Sequence, residues 1–291
     1  MQQDFSAVRR RVLLALGALP AARIAGAAED VEIKRTGGPY VPTPQVVVDE
    51  MLRMGKVGAN DFVIDLGSGD GIIVLTAAAK HKARGFGVDI DPELVKLSNN
   101  EAVKRGIADR AVFHVQDVFK ADISKATVVT LYLLPGMMIN LRPKILGELK
   151  PGTRVVSHDY HFDDWQADDQ ITWDVPEKEM VNGIGKATVY LWFIPARIAG
   201  RWQLRVAEPA AQYDLTLKQN YQNFEGVDAR GSKLTATRLR GEDITFALPA
   251  AGSQHLFKGR VTGDSMAGSV ELAGGKGTTR WTATRAVSPR S

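Results

Sequence analysis

The spacing of apolar residues changes character once along the chain, near Ala199-Gly200, and one architecture cannot serve both patterns. Before that point, short apolar runs alternate with stretches of helical spacing. Phe62-Val63-Ile64 reads as a buried strand, residues 71–83 as a helix and residues 85–90 as a second strand. Asp91-Pro92 then supplies an N-cap and a first helical position, and Gly106 a C-cap. Further strands are predicted over 112–115, 127–134, 153–157, 171–175 and 187–194, with a helix over 136–149 that Pro143 should kink or split. Such alternation predicts an α/β fold with a mostly parallel, doubly wound sheet covered on both faces. After Gly200, seven short runs (202–206, 213–217, 234–237, 244–248, 256–261, 269–272 and 280–284) alternate apolar and polar residues between Gly, Asp and Asn. No helix-length stretch occurs there. This predicts a small all-β domain, either a barrel or a sandwich. Trp202 near its start and Trp281 near its end are expected to close its core. The predicted organisation is a targeting segment over 1–27, an α/β domain over 31–198 and a β domain over 199–288.

The most informative local stretch is Val63-Ile64-Asp65-Leu66-Gly67-Ser68-Gly69-Asp70-Gly71-Ile72, a strand, a glycine turn and a helix. Glycine permits positive φ and close approach of a ligand to the backbone. A dinucleotide would use G-x-G-x-x-G, but here the third glycine is Gly71 and position 72 is Ile72. Asp65 and Asp70 also flank the loop, and a pyrophosphate beside two carboxylates meets like-charge repulsion. S-adenosylmethionine has no phosphate and carries an ammonium and a sulfonium, so the same carboxylates favour it.

On these residues the chain resembles the class I S-adenosylmethionine-dependent methyltransferases, whose first motif is an acidic residue followed by G-x-G-x-G: Asp65, Gly67, Gly69 and Gly71, with Ser68 inside the loop. The resemblance implies a Rossmann-like methyltransferase sheet with S-adenosyl-L-methionine as cofactor. Asp89, ending the second strand in Gly85-Phe86-Gly87-Val88-Asp89, is the expected ribose ligand, since one carboxylate can accept both ribose hydroxyls; helix capping beside Asp91 is its structural alternative. Asp117, after His114-Val115-Gln116, is the position that faces the adenine amino group in the family. Pro39-Tyr40-Val41-Pro42-Thr43-Pro44 resembles the narrower group of lysine methyltransferases related to the enzyme that modifies the c ring of ATP synthase, over roughly residues 38–195. That likeness places Tyr40 and Thr43 over the donor site. Thr43 also reads as the N-cap of the helix that follows, with Pro44 its first residue.

Methyl transfer is an in-line displacement, so the enzyme aligns the reacting atoms and excludes water. A lysine acceptor must also lose its proton, which carboxylates or a dry aromatic pocket can arrange. The fourth strand ends in Leu131-Tyr132-Leu133-Leu134-Pro135, without the N/D-P-P-Y/F/W of amino-methylating DNA enzymes. The absence of cysteine removes fifth-carbon cytosine methylation, along with disulfides and thiolate metal sites. His158, Asp159 and Tyr160, in Ser157-His158-Asp159-Tyr160-His161, stand at the strand end where ligands bind in open α/β sheets. They are the catalytic candidates, with no base assigned among them and no metal expected. The expected acceptor is a protein, with lysine its candidate residue, or a small molecule; the competing reading is a non-catalytic exported binding protein with a nucleoside-binding fold.

Arg9-Arg10-Arg11 precede an apolar run from Val12 to Leu19, and small residues follow to Ala25-Gly26-Ala27. This is the order of a secretory signal, and the adjacent arginines resemble a twin-arginine export signal. Export to the periplasm or anchoring at a membrane through this segment is the expectation, with a cytoplasmic location as the alternative. Without residues 1–27, which carry four arginines and Asp4, the formal charge of +4 falls to +1. No basic stripe remains for nucleic acid, and none is expected as a partner.

Overall fold

The computed structural model describes residues 38–250 and 253–286, so the expected targeting segment lies outside the described residues. The described residues belong to one compact unit. Its first part runs α1 (Gln45–Met54), β1 (Phe62–Leu66), α2 (Ile72–His81), β2 (Arg84–Asp89), α3 (Pro92–Lys104), β3 (Ala111–Val115), β4 (Val128–Leu131), α4 (Pro135–Glu148), β5 (Arg154–His158), β6 (Asp169–Asp174), α5 (Pro176–Asn182) and β7 (Lys186–Phe193). The strands form one sheet in the order β3-β2-β1-β4-β5-β7-β6. The five strands from β3 to β5 are parallel, and β7 runs antiparallel to both neighbours. Alternate residues of β1 face opposite layers. Val63 packs with Val47, Met51, Ile73 and Ala77 of α1 and α2, whereas Ile64 and Leu66 pack with Met138, Leu141 and Ile145 of α4. Strand order reverses between β1 and β4, which opens the ligand crevice at their carboxyl ends.

Several expectations need correction. β4 ends at Leu131 rather than residue 134, because the ladders on its two sides close at Leu66↔Leu131 and Leu131↔Ser157 and the chain leaves the sheet there to start α4. α4 is not split at Pro143 and continues through it. That proline is exposed, so water can satisfy the carbonyl it leaves free, while Met138, Leu141 and Ile145 hold the helix down on both sides of it. Thr43 does not cap α1: Pro44 occupies the N-cap position, its own carbonyl accepting from Val47 and Val48 N–H at 2.9 and 3.1 Å. Helix α5 has no signature in the sequence, because its charged residues carry no apolar stripe.

The second part is an antiparallel meander of β8 (Gly200–Val206), β9 (Ala211–Asn220), β10 (Asn223–Asp228), β11 (Thr235–Arg240), β12 (Asp243–Ala250), β13 (Ser253–Thr262), β14 (Ser265–Glu271) and β15 (Thr278–Arg285). Its order is β10-β9-β8-β15-β14-β13-β12-β11, and the two end strands meet at Val227↔Lys233 and through Leu234 N–H to Gly226 O at 2.8 Å. It is therefore a nearly closed barrel and not a sandwich. The sequence shows seven of the eight strands. β10 escapes because its inner face offers Phe224 and then Gly226, where a Cβ would stand 2.5 Å from Leu217. The interior is solid: Phe246 and Phe257 stack at 4.9 Å, with Trp281 edge-on to both. Trp202 and Trp281 are core residues whose indoles donate to Ile198 O at 2.8 Å and to Lys258 O and Ser269 O at 3.0 Å.

Candidate active site

The glycine turn between β1 and α2 depends on its glycines for both conformation and space. Gly67, Gly69 and Gly71 have φ of 81°, 52° and 79°. A Cβ on Gly67 would stand 2.6 Å from Leu133, on Gly69 2.6 Å from the Tyr40 ring, and on Gly71 2.7 Å from Phe113. Gly67 and Ser68 N–H both donate to Val88 O at 2.9 Å, which ties the turn to the end of β2. There Asp89 accepts from Gly69 N–H at 2.8 Å on one oxygen and from Asp91 N–H at 3.0 Å on the other. Each oxygen keeps a lone pair, so the carboxylate is oriented and still able to accept two hydroxyls. Asp91, as expected, caps α3 through Glu93 and Leu94 N–H. The cap of α3 is therefore Asp91, and Asp89 instead braces the glycine turn through Gly69 N–H while keeping acceptor capacity on both oxygens.

Tyr40 lies against Gly69, 45% exposed, with its hydroxyl hydrogen-bonded to Asp70. Partial burial, then the charge and hydrogen bond of Asp70 and the charge of Asp89, raises its phenol well above the usual range. Ser68 is buried, and its hydroxyl has no protein partner among the described residues. Asp117 follows β3, where Gln116 N–H bonds Asp89 O at 2.9 Å, and its carboxylate accepts from Phe119 N–H at 2.9 Å. Thr43 sits half-buried three residues beyond Tyr40.

The two acids flanking the loop in sequence are not equivalent in space. Asp65 is 2% exposed and lies inside the sheet, accepting from Thr130 Oγ1 at 2.7 Å. Burial, opposed by the Thr130 bond and reinforced by the charges of Asp89 and Asp70, pushes its carboxyl up to about 7. Asp70 instead stays half-buried at the loop, accepting from Ile72 N–H at 3.1 Å.

The acceptor end gathers the candidates of the β5 terminus around a ring that the sequence reading did not single out. Tyr132, just past β4, lies 4.0 Å from the His158 ring and 6.2 Å from that of Tyr160. His158 is 1% exposed with neither nitrogen hydrogen-bonded. Burial, with Lys178 adding to it and Asp159 opposing, pushes its pKa down to about 4 and leaves it neutral. Asp159, at φ 62°, is committed elsewhere: it pairs with Lys178 and accepts from Thr188 N–H at 3.1 Å. Lys178 is 2% exposed and also donates to Lys186 O. Nothing local in Pro176-Glu177-Lys178-Glu179 marks a buried lysine, because its partner lies in another element.

The family described as the ANTKMT methyltransferase domain matches residues 65–169. A protein-lysine N-methyltransferase from Saccharolobus islandicus is 41% identical over 157 residues, 54% of this chain and 93% of that protein. A lysine N-methyltransferase from Xenopus laevis, named for its action on the c-type subunit of ATP synthase, is 35% identical over 130 residues, 45% of this chain but only 57% of the relative. A crystal structure of an RNA methyltransferase from Salinibacter ruber with S-adenosyl-L-homocysteine is 48% identical, covering 54% of this chain and 96% of that one, with a TM-score of 0.49. The oriented Asp89 and the left-handed turn of Gly67, Gly69 and Gly71 fit a nucleoside-bearing methyl donor. With identity running across nearly the whole of the archaeal enzyme, the chain belongs to the protein-lysine methyltransferase family of class I enzymes and is an S-adenosylmethionine-dependent methyltransferase.

Proposed function

We propose that this methyltransferase acts on the ε-amine of a lysine in a protein. The observation that carries the reading is the pair of uncharged rings of Tyr132 and Tyr160, backed by the buried, neutral His158, at the carboxyl ends of β4 and β5. Bound S-adenosylmethionine supplies an electrophilic methyl carbon on a sulfonium sulfur. The main chain of Gly67–Gly71, with Asp89, Asp117 and Tyr40, would hold that donor. A lysine reaches the site as an ammonium and can attack only as a free amine. Moving it from water against an uncharged aromatic surface disfavours the charged form and lowers its pKa. The ion pair with Lys178 keeps the Asp159 carboxylate beside His158 occupied, so it does not act as a competing counter-ion at the wall. The names of the Saccharolobus and Xenopus relatives support the same acceptor. The test is to incubate the full chain with methyl-labelled donor and cell extract, then digest with protease or ribonuclease and map the label by mass spectrometry. Label on lysine side chains supports the reading; label released only by ribonuclease, or carried by a small molecule, overturns it.

We also propose that residues 1–27 deliver the chain to a membrane, where the segment is either cleaved on export or kept as an anchor. Its support is the arginine run ahead of a short apolar stretch and Ala25-Gly26-Ala27. A reporter fused behind residues 1–30 should fractionate with the membrane or periplasm, and recovery in the soluble cytoplasm alone overturns the proposal.

A further inference from the structure

Apolar side chains pack the barrel interior, and its surface reaches the α/β part. One of its turns grips the segment that follows β5, and this segment carries Tyr160 of the acceptor wall. At the near end, Asp159 N–H donates to Thr188 O at 2.7 Å and Tyr160 N–H to His158 O at 2.8 Å. At the far end, the segment folds back in a tight turn, with a bridge between Phe162 and Trp165 and Asp163 at φ 58°. That turn rests on Tyr221 and Gln222, the residues linking β9 and β10. Gln222 uses both ends of its amide: Oε1 accepts from the Trp165 indole at 2.9 Å and Nε2 donates to Gln166 O at 2.7 Å. The Tyr221 ring stacks on Trp165 at 5.7 Å, and its hydroxyl lies 3.3 Å from both Asp164 carboxylate oxygens. Arg142 of α4 completes the grip, donating to Phe162 O at 2.8 Å, pairing with Asp164 and lying 5.7 Å from the centre of the Tyr221 ring. The barrel turn is itself anchored, since Gln219 Nε2 donates to Tyr221 O at 2.7 Å and to Ala196 O at 2.8 Å.

From this grip a continuous run of ring contacts leads back toward the acceptor end. Tyr221 touches Trp165, Trp165 touches Phe162, Phe162 touches Trp192, Trp192 touches Tyr190, and Tyr190 touches His161, with centroids 4.8 to 5.8 Å apart. His161 adjoins Tyr160 in the chain. A loop of this length would otherwise sample many conformations, and holding it at both ends removes that freedom before an acceptor arrives.

We propose that Tyr221 and Gln222 are positioning residues for the acceptor, and that the barrel serves as an internal brace that fixes the β5–β6 segment in its productive shape. The inference rests on the acceptor lying at the β4 and β5 ends, as in the proposed function, but not on its being lysine. Gln222→Ala removes two hydrogen bonds at a half-buried surface position, so the variant should fold. Tyr221→Ala removes the stack, and Tyr221→Phe keeps it. In the full chain, hydrogen exchange of amides 159–166 should quicken about tenfold in Gln222→Ala and Tyr221→Ala, with amides 67–71 unchanged and S-adenosylhomocysteine affinity within about twofold of the parent. The acceptor KM should rise about tenfold with little change in kcat, and Tyr221→Phe should restore both readouts. Unchanged exchange over 159–166 overturns the proposal. So does a loss of S-adenosylhomocysteine affinity in step with the exchange, which would mark a general loosening of the fold. If no protein lysine is methylated, the lysine reading fails while the exchange measurement still decides the brace.

Discussion

Asp65→Asn tests the electrostatics of the donor site most directly. Asp65 is sealed beneath the glycine turn with Thr130 as its side-chain partner at 2.7 Å, and its carboxyl is pushed from 3.8 up to about 7, chiefly by burial. That displacement of about three pH units corresponds to about 4 kcal/mol, at about 1.4 kcal/mol per unit. Between these two pH values the folded chain keeps a proton that the unfolded chain has released. The native state then binds more protons, and this group makes stability fall as pH rises from about 4 to about 7. Asparagine has no proton to lose. In urea unfolding from about pH 4.5 to about pH 8, the unfolding free energy of Asp65→Asn minus that of the parent should climb by about 3–4 kcal/mol and then level off. Any cost of placing the extra amide N–H group adds a constant and leaves the slope intact. His158 works in the opposite sense, because its folded pKa near 4 lies below its unfolded value of 6.5, so its contribution is lost as pH falls through that window. It is common to both proteins and cancels in the difference. A difference that stays flat across the range would refute the buried, proton-holding Asp65.

The same carboxyl makes a ligand prediction. S-adenosylmethionine and S-adenosylhomocysteine share every group except the charged methyl sulfonium. A positive charge near the turn favours ionised Asp65, so binding the charged form should release protons around neutral pH. The affinity ratio of the methionine form to the homocysteine form should therefore rise with pH through about 7 in the parent and stay level in Asp65→Asn. Isothermal titration in two buffers of different ionisation heat reads both the ratio and the protons released. Identical pH dependence for the two ligands would show that no such coupling exists.

Asp89→Ala removes the acceptor for Gly69 and Asp91 N–H and should weaken binding of both forms by about 10- to 100-fold, as expected for charge-assisted bonds worth about 1.5–3 kcal/mol; calorimetry showing undiminished affinity would exclude it from the donor site. Gly69→Ala forces a Cβ to within 2.6 Å of the Tyr40 ring at φ 52°, and should lower stability by about 1–2 kcal/mol. Combining it with Tyr40→Ala should recover the steric part of that loss and leave only the backbone part, which thermal unfolding of the double variant would reveal. Arg154→Met strips partners from Asp61 and from Gly55 and Lys56 carbonyls at 2.7 and 3.1 Å, at a cost of about 2–3 kcal/mol near neutral pH. Burial would raise the Asp61 carboxyl, but hydrogen bonds from Arg154, Thr127 and Gly58 hold it below its usual value, so the destabilisation should shrink as pH falls through the acid range where Asp61 protonates.

What could be read from the chain in advance depends on how far apart the interacting residues stand. The glycine turn, the Asp91 cap and the placement of Asp89 at the end of β2 are set by residues within a few positions of one another, and each follows from local conformational rules. Thr43 shows the limit of such rules even at short range. It offers a good capping hydroxyl, yet Pro44 takes the N-cap position with an extended ψ of 143° and its carbonyl opens the helix. β10 went unread for a different reason. A strand facing a crowded barrel interior can use glycine where a large residue would not fit, and apolar alternation is silent at such a place.

The acceptor side is where local reading stops, and the reason is physical. Asp159 is adjacent to His158 and Tyr160 in the chain and looks equally available for proton transfer. Only the fold brings Lys178, from a separate helix, against its carboxylate, with the Thr188 N–H against its other oxygen. Those contacts tie up a candidate base, while burial, helped by Lys178 against the pull of Asp159, keeps His158 neutral beside Tyr132. The same holds for the two acids of the glycine turn. In sequence Asp65 and Asp70 bracket it symmetrically, but strand pairing sinks Asp65 beside Thr130 while Asp70 stays at the loop with Tyr40. The preference for a cationic ligand therefore does not need two exposed charges. A half-buried Asp70, an oriented Asp89 and a buried carboxyl raised to about 7 would give the same sign of selectivity, and would make it depend on pH in a way that two surface carboxylates would not.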